Sequence, residues 1–469
     1  MKHALALAAI LAVFVFVARR DVLPGPYYYD EADYMFAASL GARANWTDRP
    51  SQSLADFVRV GLAEGRNPAK RAQLSNTARA GSDVNFYRHW HGPLYFYWLS
   101  FIARLRLDER ATRGLSYVFP ILTTLVLYFG SLWIFAETAA AILSAALFLW
   151  SYATVFTDEI APHQLFVLCS MAALILLMKW RATGNARCWY GSVIAAACAF
   201  CTLEVAFVLV VVLILCAGRI PSIGKSIWTF LLTVAALWPA ALAKLTFVKA
   251  YLFMAYLAVF RASAWGRTGL LETWRLRFAQ SPVEWLLLSF AGMLYFRSLD
   301  SPTRKQLFPV VLYGGLMILA LLRVNSETPR YMLPFLAAFQ FAAGCTFAFA
   351  IRNWKPMPSS VAVTAILLAV LGETLFNVLA HPVLPSPRLA DVLTTIRAAN
   401  LDAKQLLAPR NDVPTIHYYF PRIATRGYLE AAERDAILTQ TDCDAVLDTG
   451  YPVALWRRSR DSPHYLSRR

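Results

Sequence analysis

Acidic and aromatic side chains are concentrated in PGPYYYDEADYMF, residues 24–36, just after the first apolar run of the chain. Carboxylates of this kind can accept a proton from a reacting group. If a helix begins near Asp30, then Asp33 lies one turn further on and Tyr34 lies on the face of Asp30. A helix cap formed by Asp30 and Asp33 would also account for acids at a helix start. Both interpretations stay open on these residues alone.

Two further polar clusters occur at ends of apolar runs. They are Arg88, His89 and His91 in YRHWHGPLYFYW, and Asp158, Glu159 and His163 in TDEIAPHQ. Ionisable residues in lipid cost about 2.5–3.5 kcal/mol each at mid-depth, so several together favour a polar site. Simpler interpretations are an interfacial hydrogen-bonding pair for the two histidines and a helix cap for Asp158. A zinc site built on the histidines is less favoured.

The composition is that of a multi-pass membrane protein. Of 469 residues, 58% are hydrophobic and only 16% are charged, and the mean hydropathy is +0.47. A bilayer core of roughly 30 Å requires about 20 apolar residues per helix, and such runs recur along the chain. The net charge of +16 comes mostly from short gaps between these runs. This distribution argues against nucleic acid as a partner.

The basic gaps predict the topology, because short loops rich in Lys and Arg lie on the inner side of a membrane. The gaps are residues 179–187, 219–225, 296–305 and 351–355. Counting crossings from them predicts about eleven transmembrane helices. It places residues 19–113, residues 248–282 and the chain from residue 382 onward outside. Residues 92–107, although apolar, are then predicted to form an interfacial helix.

The predicted fold class is therefore mainly α: a polytopic membrane helical bundle with interfacial helices in its first outer loop. The transmembrane module is predicted to span residues 1–381, with outer loops at 19–113 and 248–282. In residues 382–469 helical periodicity alternates with short apolar strands. This segment is predicted to be a small α/β domain on the extracytoplasmic side.

Several segments resemble motifs of the GT-C superfamily, the membrane glycosyltransferases that include lipid A aminoarabinose transferases and protein O-mannosyltransferases. YYYDEADYMFAASL resembles the Asp-Glu-x-x-Tyr motif of the first outer loop in that family, and HGPLYFYWL resembles its His-Pro-Pro-Leu segment, with Gly92 in place of a proline. TRGLS supplies an arginine that opens the next crossing, and TPRYMLPFLAAF is similar to the late Arg-Tyr-x-x-Pro motif. Their order and spacing extend the resemblance over roughly residues 1 to 350.

The resemblance implies transfer of a sugar from a polyprenyl-phosphate-linked donor to an acceptor hydroxyl or phosphate on the extracytoplasmic face, with inversion. Phosphate is already a good leaving group, so the main requirement is a base for the acceptor. The resemblance implies Asp30 as that base, with Glu31 or Asp158 as its partner. The residues expected to bind the donor phosphate or substrate are Arg113, Arg330, His91, His163, Tyr34, Tyr331 and Lys249.

The expected partners are the polyprenyl-phosphate-sugar donor, a lipid, glycan or protein acceptor, and membrane lipids, without nucleic acid. No metal ligand is assigned and no cofactor is certain, although a divalent cation stays open. The expected location is the bacterial inner membrane, with the active site on the periplasmic side. A multi-pass transporter or lipid flippase, and a non-catalytic subunit of the same fold, are the alternative functions. Paired structural repeats would favour a transporter, and the sequence shows none.

Overall fold

The computed structural model describes most of the chain. The described residues are 2–47, 91–157, 160–218, 220–243, 245, 248, 251–252, 269–322, 324, 328–353, 358–380, 387–400, 405–409, 411–428, 434–435, 438, 443–448, 453–458 and 465–468. Helices dominate this part of the chain, and strands occur only near its end. The sequence-based prediction of a mainly α protein is therefore confirmed.

The helices begin and end as follows: α1 (Lys2–Asp21), α2 (Asp30–Ser39), α3 (Ala42–Thr47), α4 (Leu94–Arg104), α5 (Glu109–Ser116), α6 (Val118–Phe135), α7 (Thr138–Leu149), α8 (Tyr152–Val155), α9 (His163–Thr183), α10 (Ala186–Phe200), α11 (Phe207–Cys216), α12 (Ile223–Leu237), α13 (Pro239–Ala243), α14 (Leu270–Gln280), α15 (Pro282–Arg297), α16 (Ser301–Leu321), α17 (Leu333–Arg352), α18 (Ser359–Ala380), α19 (Pro387–Ala399) and α20 (Val413–Tyr419). Two single 3-10 turns are Glu204–Ala206 and Pro329–Tyr331.

The strands are β1 (Gln405–Pro409), β2 (Ala424–Tyr428), β3 (Ala445–Asp448), β4 (Ala454–Arg458) and β5 (Tyr465–Arg468). They form one sheet in the order β2-β1-β3-β4-β5. β1 pairs in parallel with β2 and β3, whereas β3, β4 and β5 pair antiparallel in sequence order. The sheet is therefore mixed, as expected where helices connect only some of the strands.

The chain divides into two compact units. The first unit consists of Met1–Val22, Arg113–Leu237 and Tyr251–Val383, and the second unit consists of Leu23–Thr112, Trp238–Ala250 and Leu384–Arg469. Each unit is thus assembled from segments that are far apart in the sequence.

Within the described ranges, five helical segments are long and apolar enough to cross a bilayer. They are Glu109–Phe135, His163–Thr183, Ser301–Leu321, Leu333–Arg352 and Ser359–Ala380. Shorter apolar helices at Ala4–Arg19, Thr138–Leu149, Glu204–Cys216 and Ile223–Leu237 accompany them. The chain is a multi-pass membrane protein, while the number of about eleven crossings stays a prediction.

The first unit is held together by close helix packing at small residues. A Cβ atom added to Gly344 on α17 would lie 2.6 Å from the Cα of Ser144 on α7. The hydroxyl of Ser144 donates a hydrogen bond to the carbonyl of Phe341 at 3.1 Å. Small residues allow helix backbones to approach in this way when lipid offers no hydrophobic drive for association.

Three polar side chains inside the first unit form hydrogen bonds at the start of α15. Glu373 on α18 accepts hydrogen bonds from the amides of Val283 (2.6 Å) and Glu284 (2.9 Å), in the first turn of α15. The amide of Gln340 donates to the buried carboxylate of Glu284. The carboxylate of Glu373 thus satisfies two amides that a helix start leaves unpaired, which matters most where water is absent.

The second unit combines the sheet with helices from the first half of the chain. The inward side chains of β1 and β3, among them Leu406 and Leu447, pack with Val392 and Ile396 of α19 and Ile416 of α20. The helix α2 contacts both α4 and α20. At 11 residues α4 is about 16 Å long, too short to cross the bilayer core.

Candidate functional site

The helix α2 begins at Asp30, which lies inside the first turn rather than at the cap. Tyr29 is the N-cap residue, and its own side chain makes no capping hydrogen bond. Asp30 and Glu31 are 9% and 4% exposed. The cap interpretation of Asp30 is thus not the arrangement found, because Asp30 already has helical backbone. The positive end of the helix dipole stabilises negative charge at this place.

Tyr29 has an unusual backbone conformation, with φ 45° and ψ −109°. A bulky side chain rarely adopts positive φ, so this residue stores strain of about 1–3 kcal/mol. Its amide donates a hydrogen bond to the hydroxyl of Thr415 at 3.2 Å. Two residues earlier, the amide of Tyr27 donates to the phenol oxygen of Tyr419 at 2.9 Å. The helix α20 therefore holds the strained loop that leads into Asp30.

The end of α2 is fixed as firmly as its start. The side-chain amide of Asn45 donates to the carbonyls of Ala37 (2.8 Å) and Gly41 (3.0 Å). The hydroxyl of Ser100 on α4 donates to the carbonyl of Ala38 at 3.0 Å. These bonds connect the last turn of α2 and the following Gly41 to α3 and α4, so α2 is anchored at both termini.

Tyr34 and His91, two residues predicted for the site, are joined directly. The Tyr34 hydroxyl and the His91 Nε2 atom are 3.0 Å apart, in hydrogen-bond contact, and both residues are buried. The ring of Tyr34 also packs on Phe96 of α4. Because Tyr34 follows Asp30 by four residues, the pair lies one turn from Asp30 along α2.

A second group of predicted residues lies in the first unit. Arg330 and Tyr331 form the 3-10 turn before α17, and His163 is the first residue of α9. The guanidinium of Arg330 donates to the Tyr331 hydroxyl at 3.3 Å and lies 5.1 Å from the ring centroid. The rings of His163 and Tyr331 meet edge to face, with centroids 5.3 Å apart. The structure thus brings these three residues together.

The remaining predicted residues differ in what the structure says of them. Arg113 on α5 is completely buried, and its assignment to the phosphate stays a prediction. Asp158 and Lys249 lie outside the described residues. So do Arg88, His89 and Glu159.

A metal ion, which the sequence left open, has no complete ligand set in the described part of the chain. No group of three or more His, Cys, Asp or Glu side chains is gathered there in a way that could hold one. Asp30 and Glu31 supply two neighbouring carboxylates, fewer than the three protein ligands of a typical catalytic zinc site.

Sequence reasoning missed the contribution of residues near the end of the chain. Thr415 and Tyr419 reach Tyr29 and Tyr27 across 386 and 392 positions. The phenol of Tyr419 also donates to a carboxylate oxygen of Glu109 at 2.8 Å. No motif or periodicity in the sequence points to these contacts, since a hydroxyl in a short apolar helix is an ordinary core residue.

The fold is that of GT-C membrane glycosyltransferases. ArnT from Cupriavidus metallidurans bound to undecaprenyl phosphate superposes with a TM-score of 0.58 at 12% identity, covering 93% of this chain and 88% of ArnT. An oligosaccharyltransferase from Archaeoglobus fulgidus, in complex with Zn and sulfate, gives a TM-score of 0.59 at 11% identity, covering 93% of this chain and 67% of that protein. No protein-family model and no curated protein matches the sequence. At such identities the likeness shows the fold alone.

Proposed function

We propose that this protein is an inverting glycosyltransferase that moves a sugar from a polyprenyl-phosphate-linked donor to an acceptor on the extracytoplasmic face of the membrane. The acceptor is a hydroxyl or phosphate group of a lipid, a glycan or a protein. The fold supports this proposal, because the solved structures with the same fold are membrane glycosyltransferases. One of them is bound to undecaprenyl phosphate and another to dolichol-phosphate and a peptide.

In the proposed reaction Asp30 is the general base. Its carboxylate accepts the proton of the acceptor hydroxyl as the acceptor oxygen attacks the anomeric carbon. The bond from that carbon to the phosphate oxygen breaks, and polyprenyl phosphate leaves with the bonding electrons. Attack opposite the leaving group inverts the anomeric configuration. One carboxylate is sufficient, in contrast to the pair that a glycosidase requires.

We assign the binding of the departing phosphate to cationic side chains. Arg113 and Arg330 bind it by charge-assisted hydrogen bonds, with His91, His163 and Lys249 as further donors. Tyr34 orients His91 through their hydrogen bond, and Tyr331 orients Arg330 in the same way. Glu31 or Asp158 orients the acceptor. The proposed location is a bacterial inner membrane with this chemistry on the periplasmic side.

The observation that carries the proposal is the placement of Asp30. A buried carboxylate begins α2 directly after a strained residue, and Thr415, 386 residues away, accepts a hydrogen bond from that residue. Strain maintained in this way is typical of functional sites, where surrounding structure fixes an otherwise unfavourable conformation. Neither a simple cap nor a core residue requires it.

The test is transfer by the purified full-length protein from undecaprenyl-phosphate-linked pentoses and hexoses, followed by mass spectrometry of lipid products. Asp30→Asn keeps the shape of the side chain but removes the base, so turnover is expected to fall by about 10²–10⁴. Asp33→Asn, on the same helix, is the matched control and keeps its activity.

Normal turnover of Asp30→Asn would remove the base assignment. Transport of the lipid-linked sugar without any transfer would favour the flippase alternative. A folded protein with neither activity, whose Asp30→Asn variant leaves the cell envelope unchanged, would favour the non-catalytic subunit.

A further inference from the structure

A cavity of about 550 Å³ lies within the second unit, on the side of α2 that faces away from the proposed base. Ser39, which lines it, follows Asp30 by nine residues, or two and a half helical turns. Its side chain therefore points opposite to that of Asp30. Met35 and Phe36 line the same cavity, whereas Asp30, Tyr34 and His91 do not. The cavity is thus distinct from the proposed catalytic residues.

Aromatic side chains and one fixed carboxylate form much of the cavity wall. Tyr27, Phe36 and Tyr418 supply the rings. Glu109 is held by the hydrogen bond from the Tyr419 phenol to its Oε1 atom at 2.8 Å. Its Oε2 atom accepts no hydrogen bond from the described residues, so one carboxylate oxygen is available to a ligand. Apolar rings beside a fixed acceptor suit a molecule with a flat apolar face and a hydroxyl edge, as a sugar ring has.

Arg106 adds a positive charge to this cavity. Its backbone has φ 52°, a left-handed conformation that few side chains adopt outside functional or tightly constrained sites. The side chain is exposed, and its guanidinium makes neither an ion pair nor a hydrogen bond with any residue that the structure describes. A planar guanidinium presented in this way binds carboxylate or phosphate groups through paired hydrogen bonds.

We propose that this cavity is a binding site for an anionic saccharide, a sugar unit that carries a carboxylate or a phosphate. Arg106 binds the anionic group, Glu109 accepts a hydrogen bond from a sugar hydroxyl, and the aromatic rings contact the sugar face. A wholly apolar ligand would leave both charges unpaired, and a simple anion would leave the aromatic walls unused. The volume lies within the range of about 300–1,000 Å³ typical of small-molecule sites.

This inference goes beyond the proposed reaction and does not depend on it. Binding in the cavity involves none of the residues assigned to the base or to the phosphate. A protein that failed as a glycosyltransferase would still bind the sugar, and an active transferase could lack the site. The two proposals therefore succeed or fail separately.

The test is a ligand-observed NMR titration of the full-length protein in phosphatidylcholine nanodiscs. The probes are glucuronic acid and glucose 6-phosphate, with glucose and inorganic phosphate as the uncharged and sugar-free counterparts. Both anionic sugars are expected to bind saturably, about tenfold or more tightly than either counterpart, because a charge-assisted bond contributes on that scale. Arg106→Gln is expected to weaken the anionic sugars by about tenfold and glucose much less.

Two control variants locate the bound probe. Arg104→Gln removes an exposed charge two residues away that does not line the cavity, and it should leave binding unchanged. Asp30→Asn should also leave binding unchanged, and a loss there would assign the probe to the catalytic residues and overturn the proposal. Glu109→Gln should weaken all the sugars but not inorganic phosphate.

Several outcomes would overturn the proposal. They are the absence of saturable binding by both anionic sugars at millimolar concentration, equal binding of inorganic phosphate, and full binding by Arg106→Gln. Displacement of the sugars by phosphatidylglycerol included in the nanodiscs would instead assign the cavity to a phospholipid headgroup.

Discussion

The hydroxyl of Thr415 accepts a hydrogen bond from the backbone amide of Tyr29 at 3.2 Å, next to the proposed base Asp30. Thr415 is completely buried, so its oxygen is held in one place. A helix near the end of the chain therefore determines the backbone conformation at the start of α2. In the proposed enzyme Thr415 is therefore a positioning residue. It acts on the Asp30 carboxylate through the backbone of Tyr29.

Replacing Thr415 by valine keeps the shape of the side chain and removes the acceptor. The amide of Tyr29 loses this partner, which should lower the free energy of unfolding by about 1–3 kcal/mol. Displacement of Asp30 should reduce kcat by about 10- to 100-fold with little change in the KM of the donor. Steady-state kinetics and thermal unfolding in detergent measure both effects.

Thr425→Val is the matched control for that variant. Thr425 is buried on β2, and its hydroxyl has no hydrogen-bond partner among the described residues. Valine should be neutral or stabilising there, because no bond is lost. Equal effects of the two substitutions on kcat would show that Thr415 has no specific role in positioning Asp30.

Tyr29 offers a test of the strain at the start of α2. Glycine tolerates positive φ whereas alanine does not, so Tyr29→Gly should be more stable than Tyr29→Ala by about 1 kcal/mol. At most positions the order is the reverse, because glycine loses more conformational freedom on folding. The freer loop should nevertheless give the glycine variant the lower turnover. Unfolding midpoints together with transfer rates measure this, and an alanine variant that is the more stable would contradict the strain.

The hydrogen bonds of Tyr419 predict how stability depends on pH. Burial raises the pKa of the Tyr419 phenol above its ordinary value, and the hydrogen bond to Glu109 also acts to raise it. A pKa raised in the folded state means that the stabilisation is complete below the unfolded pKa, about 10, and decreases as the pH rises beyond it. The midpoint temperature of unfolding should therefore decrease as the pH is raised beyond about 10.

Tyr419→Phe removes this titration together with the two hydrogen bonds. At neutral pH the variant should be less stable by about 1–3 kcal/mol. The difference in the free energy of unfolding between the variant and the natural protein should become smaller above about pH 10, because the Tyr419 phenol stabilises the natural protein less there. Unfolding curves recorded between neutral and alkaline pH test this, and a difference that stays constant would argue against a raised pKa.

Substitution of Gly344 tests how closely α7 and α17 pack in the first unit. Gly344→Ala places a Cβ against the backbone of Ser144, which cannot move without displacing α7, and should destabilise by about 1–3 kcal/mol. Gly315→Ala on α16 meets nothing within 4 Å and should stabilise by about 0.5–1 kcal/mol, through helix propensity. Thermal unfolding in detergent compares them, and similar midpoints would contradict the close approach of α7 and α17.

Much of the architecture could be predicted because local sequence determines it. Apolar runs of sufficient length predict the long helices wherever lipid forbids unpaired backbone groups, and Ser359–Ala380 is one such helix. The resemblance also led to residues that do meet, namely Tyr34 with His91, and Arg330 with Tyr331 and His163.

The contacts that hold the start of α2 and Glu109 could not be predicted from the sequence, since they join residues that are far apart along the chain. Asp is a favoured cap residue, yet Tyr29 occupies the cap position, and Thr415 on a distant helix accepts a hydrogen bond from its amide. Likewise nothing in the local sequence of Glu109 indicates its bond to Tyr419. Contacts between residues more than 300 positions apart have no periodic signature.

The hydrogen bond between Tyr29 and Thr415 can form only late in biosynthesis. A ribosome adds about 5–20 residues per second, so position 415 emerges roughly 20–80 s after position 29. Throughout that interval the loop before Asp30 lacks the partner that determines its shape. In the proposed enzyme, a nascent chain already inserted in the membrane therefore lacks the contact that fixes the approach to Asp30 until translation has passed that threonine.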